Sequence, residues 1–190
     1  MCRAVTDGAV WRVKFCQVLT IFPAGAPKGD REFPCIIRRL QQKVPSSSGW
    51  CWRALLLADI DHFKRVNHTH GHLVGDQVIG ATAQVLKSAV KGRNVVARFG
   101  GEEYMVLLPG TPGQGALALA EQIHSAFGKL RIGRSGSDEV IAQATISTGV
   151  ATPLAGASVV QVIDRADKAL YQPKNEGRNC VRLAGNAAAA

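Results

Sequence analysis

Two acidic clusters are the residues of this sequence that are best suited to chemistry. The first, Asp59-Ile60-Asp61, ends a short apolar run, and the second, Gly100-Gly101-Glu102-Glu103, lies between two apolar segments. Clustered carboxylates repel one another and are costly to bury unless a cation neutralises them. Hard divalent cations such as Mg²⁺ take oxygen ligands and keep waters or substrate phosphates in the remaining positions. The clusters therefore favour a metal and phosphate site, although all four acids could instead be exposed turn residues.

Short apolar segments must position these clusters. The run ALLLADI, residues 54–60, predicts a buried strand that delivers the first cluster to a sheet edge. The segments NVVARF and YMVLLP, residues 94–99 and 104–109, predict a hairpin with the second cluster at its tip. Paired glycines at this tip let the backbone approach a phosphate or ribose, although glycine is also common at hairpin tips for steric reasons alone.

The rest of the chain alternates predicted helices with predicted strands. Helices are predicted over residues 73–90, 116–130 and 157–172, and strands within 140–153 and over 179–184. With the hairpin included, this order favours an α/β (α+β) fold in which helices flank a mixed or antiparallel sheet, over an all-parallel one.

The distribution of charge divides the chain. Its 190 residues suffice for one domain with a sizeable core, and the net charge is +9. Residues 1–53 carry nine Lys and Arg against three Asp and Glu, without a Gly-rich array, which favours a solvated basic leader over a nucleic-acid surface. This leader includes an amphipathic helix predicted over 31–44. We predict a basic N-terminal segment of unassigned role (1–50), one domain (51–185) and a tail (186–190).

Composition also bears on the location of the protein. No apolar run approaches the roughly 18 residues that a membrane-spanning helix requires. Arg12 and Lys14 interrupt the one candidate core of a signal peptide, and the five cysteines form no CxxC pair. Free thiols in a reducing compartment are expected, and the sequence predicts a cytoplasmic protein.

Three blocks of the sequence resemble the landmark motifs of the GGDEF family. They are DIDHFKRVNHTHGHLVGD (59–76), RFGGEEY (98–104) and ADKALYQPKNEGRN (166–179), and they occur in the family's order. The resemblance implies an antiparallel-rich sheet flanked by helices, similar to the palm of adenylyl cyclases and polymerases. It also implies a diguanylate cyclase, which condenses two GTP molecules into cyclic di-GMP at a homodimer interface and releases pyrophosphate.

The resemblance assigns the acids to metal binding and catalysis. Asp59, the backbone carbonyl of Ile60 and Glu102 match the family's metal positions, which implies one or two Mg²⁺ or Mn²⁺ ions per site. Glu103 matches the second acid of the hairpin, and we expect it to share catalysis with Asp59 and Glu102. Either glutamate could serve as general base.

The same resemblance assigns the substrate contacts. Asn67 and Asp76 match the pair that reads guanine, which suits an amide and a carboxylate facing the N1–H and N2 amine of the base. Gly100 and Gly101 match positions at the ribose and phosphates. The matching phosphate contacts are Lys64, Lys174 and Arg178. Without the motif context, the cations could be ordinary surface charges and Asp76 an acid in the first turn of a helix.

Several positions depart from the family pattern. Pro173 directly precedes Lys174 and could displace the backbone that carries this lysine. Tyr104 replaces the usual phenylalanine, and Lys91 and Asn94 replace the arginine and aspartate of a product-binding RxxD motif. The usual N-terminal DxLTxLxNR motif is not recognisable either.

The alternative function is a catalytically weak module that binds GTP or cyclic di-GMP; a glycosyltransferase of the DxD type is remoter.

Overall fold

A computed structural model describes residues 2–6, 9–12, 53–92, 94–98, 100–134, 140–155, 157–175 and 177–185. The helix predicted over 31–44 and the tail 186–190 lie outside these residues. The strands are β1 Cys2–Thr6, β2 Ala9–Arg12, β3 Ala54–Ile60, β4 Val95–Arg98, β5 Glu103–Leu108, β6 Arg131–Arg134, β7 Val140–Ala142, β8 Ile146–Ala151 and β9 Val181–Leu183. The helices are α1 Phe63–His70, α2 His72–Ala89, α3 Gly113–Gly128 and α4 Val159–Asn175.

The central sheet has the strand order β4-β5-β3-β8-β9. Strand β3 pairs antiparallel with β5 and β8, β4 pairs antiparallel with β5, and β9 runs parallel to β8. The predicted mixed sheet flanked by helices is therefore confirmed. A second sheet has the order β2-β1-β6-β7.

Strand β3 is buried along its whole length because helices cover both of its faces. Leu56, Ala58 and Ile60 face one way and pack in a cluster with buried residues of α1, α2 and α3. Leu55 and Leu57 face the other way and pack with residues of α4. Successive strand residues point to opposite faces, so an uninterrupted apolar run is what a two-sided core requires.

Helix α4 lies unusually close to β8 because of Gly149. A Cβ atom at this position would stand 2.1 Å from the carbonyl oxygen of Ala166 and 2.6 Å from the amide nitrogen of Leu170. Only glycine lets the helix backbone approach the strand this closely. The contact fixes the C-terminal end of α4 relative to the acidic end of β3.

Sequence patterns missed α1, β6 and the N-terminal strands. Helix α1 spans only eight residues and begins after His62, which is in the left-handed conformation and makes no side-chain capping bond. Its usual start signals are therefore lacking.

Among the described residues, none of the helices is both long and apolar enough to span a bilayer.

Candidate active site

The antiparallel register of β3 and β5 brings the two acidic clusters together. Asp59 near the end of β3 lies directly opposite Glu103 at the start of β5. The amide of Ile60 donates a hydrogen bond to the carbonyl oxygen of Glu102, at 3.2 Å. Because side chains of directly paired residues share one face of a sheet, the carboxylates of Asp59 and Glu103 lie side by side.

Burial and mutual repulsion perturb this group of carboxylates. Burial is the main factor that raises the pKa of Asp59, of Glu102 and of Glu103 above the ordinary carboxyl range. The charge of Asp59 raises the pKa of both glutamates further, whereas the charge of Lys174 lowers all three. The site has excess negative charge that a nearby cation stabilises.

Lys174, in the last turn of α4, supplies one such cation. Its Nζ lies 3.1 Å from Oδ2 of Asp59. Pro173 does not interrupt the helix, because α4 continues through position 173 to Asn175. Proline forgoes one backbone hydrogen bond. Pro173 stands within the last turn of α4, and Gly149 lets α4 pack closely on β8. The helix therefore continues without a break.

The donor set at this site suits a hard divalent cation. Asp59, Glu102 and the carbonyl of Ile60 would offer only oxygen ligands, and burial, with a smaller contribution from the neighbouring acid, raises the pKa values of the two carboxyls. In the part of the chain that the structure describes, no three His, Cys, Asp or Glu side chains form a ready metal-binding group. This is compatible with Mg²⁺, which is commonly held by one or two carboxylates and completes its shell with water and substrate phosphates.

The hairpin tip is shaped by its glycines and by Arg98. The Nε of Arg98 lies 3.1 Å from the carbonyl oxygens of both Gly100 and Gly101, so one guanidinium clamps the turn. A Cβ at Gly100 would stand 2.6 Å from Oε2 of Glu103, while the space around Gly101 is open. Gly100 thus leaves room for the Glu103 carboxylate, and sequence reasoning missed the part played by Arg98.

A second polar site lies where α1 meets α2. Asn67 near the end of α1 packs against Gly75 in the first turn of α2, where a Cβ would stand only 1.8 Å from the Asn67 Oδ1. This Oδ1 is buried and has no hydrogen-bond partner. Asp76, the neighbour of Gly75, is exposed. A buried acceptor without a partner is what a donor on a ligand would satisfy.

The family of this chain follows from its sequence and from its fold. The family pattern described as "Diguanylate cyclase, GGDEF domain" matches residues 25–180. The chain belongs to the GGDEF family. The GGDEF domain of DgcB from Caulobacter crescentus, solved in complex with c-di-GMP, superposes with a TM-score of 0.73 at 32% identity, covering 80% of this chain and 88% of that one.

Curated relatives of this GGDEF chain include diguanylate cyclases. Diguanylate cyclase DgcM of Escherichia coli (strain K12) is 43% identical over 131 residues, which are 69% of this chain and 30% of the relative. Diguanylate cyclase A of Treponema denticola is 39% identical over 134 residues, 70% of this chain and 35% of the relative. The chain spans about a third of the length of these relatives.

The remaining predicted substrate contacts of the GGDEF domain are Lys64 and Arg178, which lie in the segments that follow β3 and α4. Lys64 lies in the first turn of α1, shortly after the end of β3, and its side chain is exposed. Arg178 follows α4, and its positive charge lowers the pKa of Asp59. The acidic cluster itself divides, because Asp61 does not join Asp59 but turns to hydroxyls of the neighbouring strand.

Proposed function

We propose that this GGDEF domain is a diguanylate cyclase that condenses two GTP molecules into cyclic di-GMP. The observation that carries the proposal is the group of Asp59, Glu102 and Glu103, whose pKa values are raised, beside Lys174 at 3.1 Å from Asp59. Such a site suits triphosphate chemistry, in which phosphate charge and developing alkoxide charge must both be balanced. The curated diguanylate cyclases among its relatives support the same reaction.

Asp59, Glu102 and the Ile60 carbonyl would hold one or two Mg²⁺ or Mn²⁺ ions. When bound, the metal would lower the pKa of the attacking hydroxyl and neutralise charge on the transferring phosphoryl group. Glu102 or Glu103 accepts the hydroxyl proton, a role that the raised pKa of each carboxyl favours. The hairpin tip at Gly100 and Gly101, together with the cations, orients the phosphates.

Two groups of residues would recognise GTP: three cations bind its phosphates, and Asn67 and Asp76 bind its base. Lys64, Lys174 and Arg178 bind the phosphates, since each supplies N–H donors to phosphate oxygens. Asn67 and Asp76 read the guanine base. Because adenine has neither the N1–H nor the N2 amine, this pair selects GTP over ATP.

Two copies of the domain must meet for the reaction. In each half-reaction the 3′-oxygen of one GTP bonds to the α-phosphorus of the other, the bond from that phosphorus to the β-phosphate bridge breaks, and pyrophosphate leaves. Since one site holds one GTP, we propose a homodimer whose two sites face each other. GTP is a cytoplasmic nucleotide, so the proposed location is the cytoplasm.

Incubation with GTP and Mg²⁺ followed by chromatography of the products tests this function. Glu102→Gln keeps the shape but loses the charge, and should lower synthesis by about two orders of magnitude or more while GTP still binds. The matched control is Asp164→Asn, which removes an exposed carboxylate paired with Lys168. Full activity of Glu102→Gln would refute the assigned site.

Two further outcomes separate the alternatives. GTP binding without any cyclic di-GMP, at every protein concentration and with either metal, would instead support a catalytically weak binding module. If the homodimer is required, specific activity should rise with protein concentration until dimers saturate. A constant specific activity, together with a monomeric mass by light scattering, would refute the two-copy mechanism.

A further inference from the structure

Asp61 is a buried carboxylate that the proposed mechanism does not use. It is only 3% exposed and directly follows β3. Its Oδ1 accepts a hydrogen bond from the Ser147 hydroxyl at 2.7 Å, and its Oδ2 accepts from the Thr145 hydroxyl at 2.7 Å and from the Asn179 amide at 3.0 Å. Both oxygens are therefore engaged by protein donors, and a metal would have to displace them.

The third donor belongs to a turn with unusual backbone geometry. Arg178 has a φ of 64° and Asn179 a φ of 53°, so two consecutive residues with a Cβ are in the left-handed conformation, after Gly177 at 107°. This region is sparsely populated by residues other than glycine and persists only where neighbouring contacts impose it. The turn therefore depends on contacts from outside it.

Two elements of the fold supply these contacts. From the sheet, the Asp61 carboxylate and the Ser147 hydroxyl both accept from the Asn179 amide, at 3.0 and 3.1 Å. From α3, Nε2 of His124 lies 2.9 Å from both the carbonyl oxygen and the side-chain Oδ1 of Asn179. Asn179 is thus held from two sides, immediately after the arginine next to the acidic group.

We propose that Asp61 is a positioning residue that holds the turn Gly177–Asn179, so that Arg178 faces the terminal phosphates of the nucleotide. The inference rests on the proposed function, because it assigns GTP to the adjoining site. Of the two acids of the Asp59-Ile60-Asp61 motif, Asp59 would bind the metal and Asp61 positions the arginine that binds phosphate. The positive charge of Arg178 lowers the pKa of Asp59.

The test compares two nucleotides that differ in their terminal phosphates. 3′-Deoxy-GTP lacks the attacking hydroxyl and cannot react, and GMP lacks the phosphates that Arg178 would contact. Asp61→Asn keeps the shape of the side chain but puts an amide donor against other donors. It should weaken binding of 3′-deoxy-GTP by roughly tenfold, the range of a charge-assisted hydrogen bond, and change GMP binding less than twofold.

A double-variant cycle shows whether Asp61 acts through Arg178. Arg178→Ala alone should weaken 3′-deoxy-GTP binding, and adding Asp61→Asn to it should change the affinity by less than twofold. The matched control is Thr82→Val, which removes a buried hydroxyl that donates to Val78 at 2.7 Å within α2. This variant should bind both nucleotides like the unmodified chain.

The outcomes separate this inference from the proposed function. Equal losses for GMP and 3′-deoxy-GTP, or additive effects in the cycle, would overturn the positioning role while leaving the GTP site intact. An unmodified chain that binds neither nucleotide would overturn the proposed function itself. If Asp61→Asn does not fold, Ser147→Ala decides, because it removes the hydroxyl shared by Asp61 and Asn179. The same selective loss is expected, and a uniform loss refutes the inference.

Discussion

Replacing Gly75 with alanine should remove guanine recognition while leaving the fold in place. The new Cβ would stand 1.8 Å from Oδ1 and 2.9 Å from Cγ of Asn67, and 3.2 Å from Cζ of Phe63. The Oδ1 must therefore move by roughly 1.5 Å to reach ordinary contact distance. A displacement of that size breaks the hydrogen bond that this buried acceptor would make with the base.

The size of the effect follows from the bonds that Asn67 offers. Loss of one or two hydrogen bonds to the base costs about 1–3 kcal/mol, which corresponds to a fall in GTP affinity of about 5- to 150-fold. Alanine is also favoured over glycine within a helix by about 1 kcal/mol, which offsets part of the packing cost. We therefore expect a modest change in the free energy of unfolding and a large change in affinity.

Titration calorimetry with 3′-deoxy-GTP and 3′-deoxy-ATP measures this prediction. Gly75→Ala should weaken binding of the guanine nucleotide and leave the weaker binding of the adenine nucleotide nearly unchanged, so that selectivity falls. The matched control is Gly128→Ala in α3, where a Cβ meets no atom within 4 Å. If Gly75→Ala binds 3′-deoxy-GTP as tightly as the unmodified chain, Asn67 does not read the base.

Three further predictions concern stability and regulation. Tyr104→Phe removes a buried hydroxyl that donates to the Ile79 carbonyl at 2.8 Å. It should lower the free energy of unfolding, measured by urea titration, by about 1 kcal/mol. An unchanged free energy of unfolding would contradict this. Burial raises the pKa of Glu103, so its ionisation destabilises the metal-free fold as pH rises. Glu103→Gln should therefore increase the melting temperature in EDTA at pH 7.5, and a gain that persists unchanged near pH 4 would refute this reasoning. Lys91 and Asn94 replace the arginine and aspartate of the product-binding motif, so cyclic di-GMP should inhibit synthesis only in competition with GTP. Tight non-competitive inhibition in steady-state kinetics would show another product site.

Local patterns in the sequence predicted the strands of the central sheet and singled out the acids, whose roles stay a prediction. The apolar run 54–60 predicted a buried strand and the glycine pair between two apolar segments predicted a tight hairpin, and the structure contains both. The motif resemblance then indicated the family, which the family pattern over residues 25–180 confirmed. Tyr104 adds a buried hydroxyl at this position, and the structure provides the Ile79 carbonyl as its partner.

The tertiary structure decided which partners each of these acids contacts. Asp59 and Asp61 are two residues apart and chemically identical, yet one meets Lys174 and the other meets hydroxyls 84 and 86 residues away and an amide 118 residues away. The sequence left the effect of Pro173 open for the same reason, since helix propensity is local while the packing of α4 depends on Gly149 in a distant strand. The sequence determines which groups can carry charge, and only the register of the packed strands determines which partners each group meets, because those partners come from segments far apart in the chain.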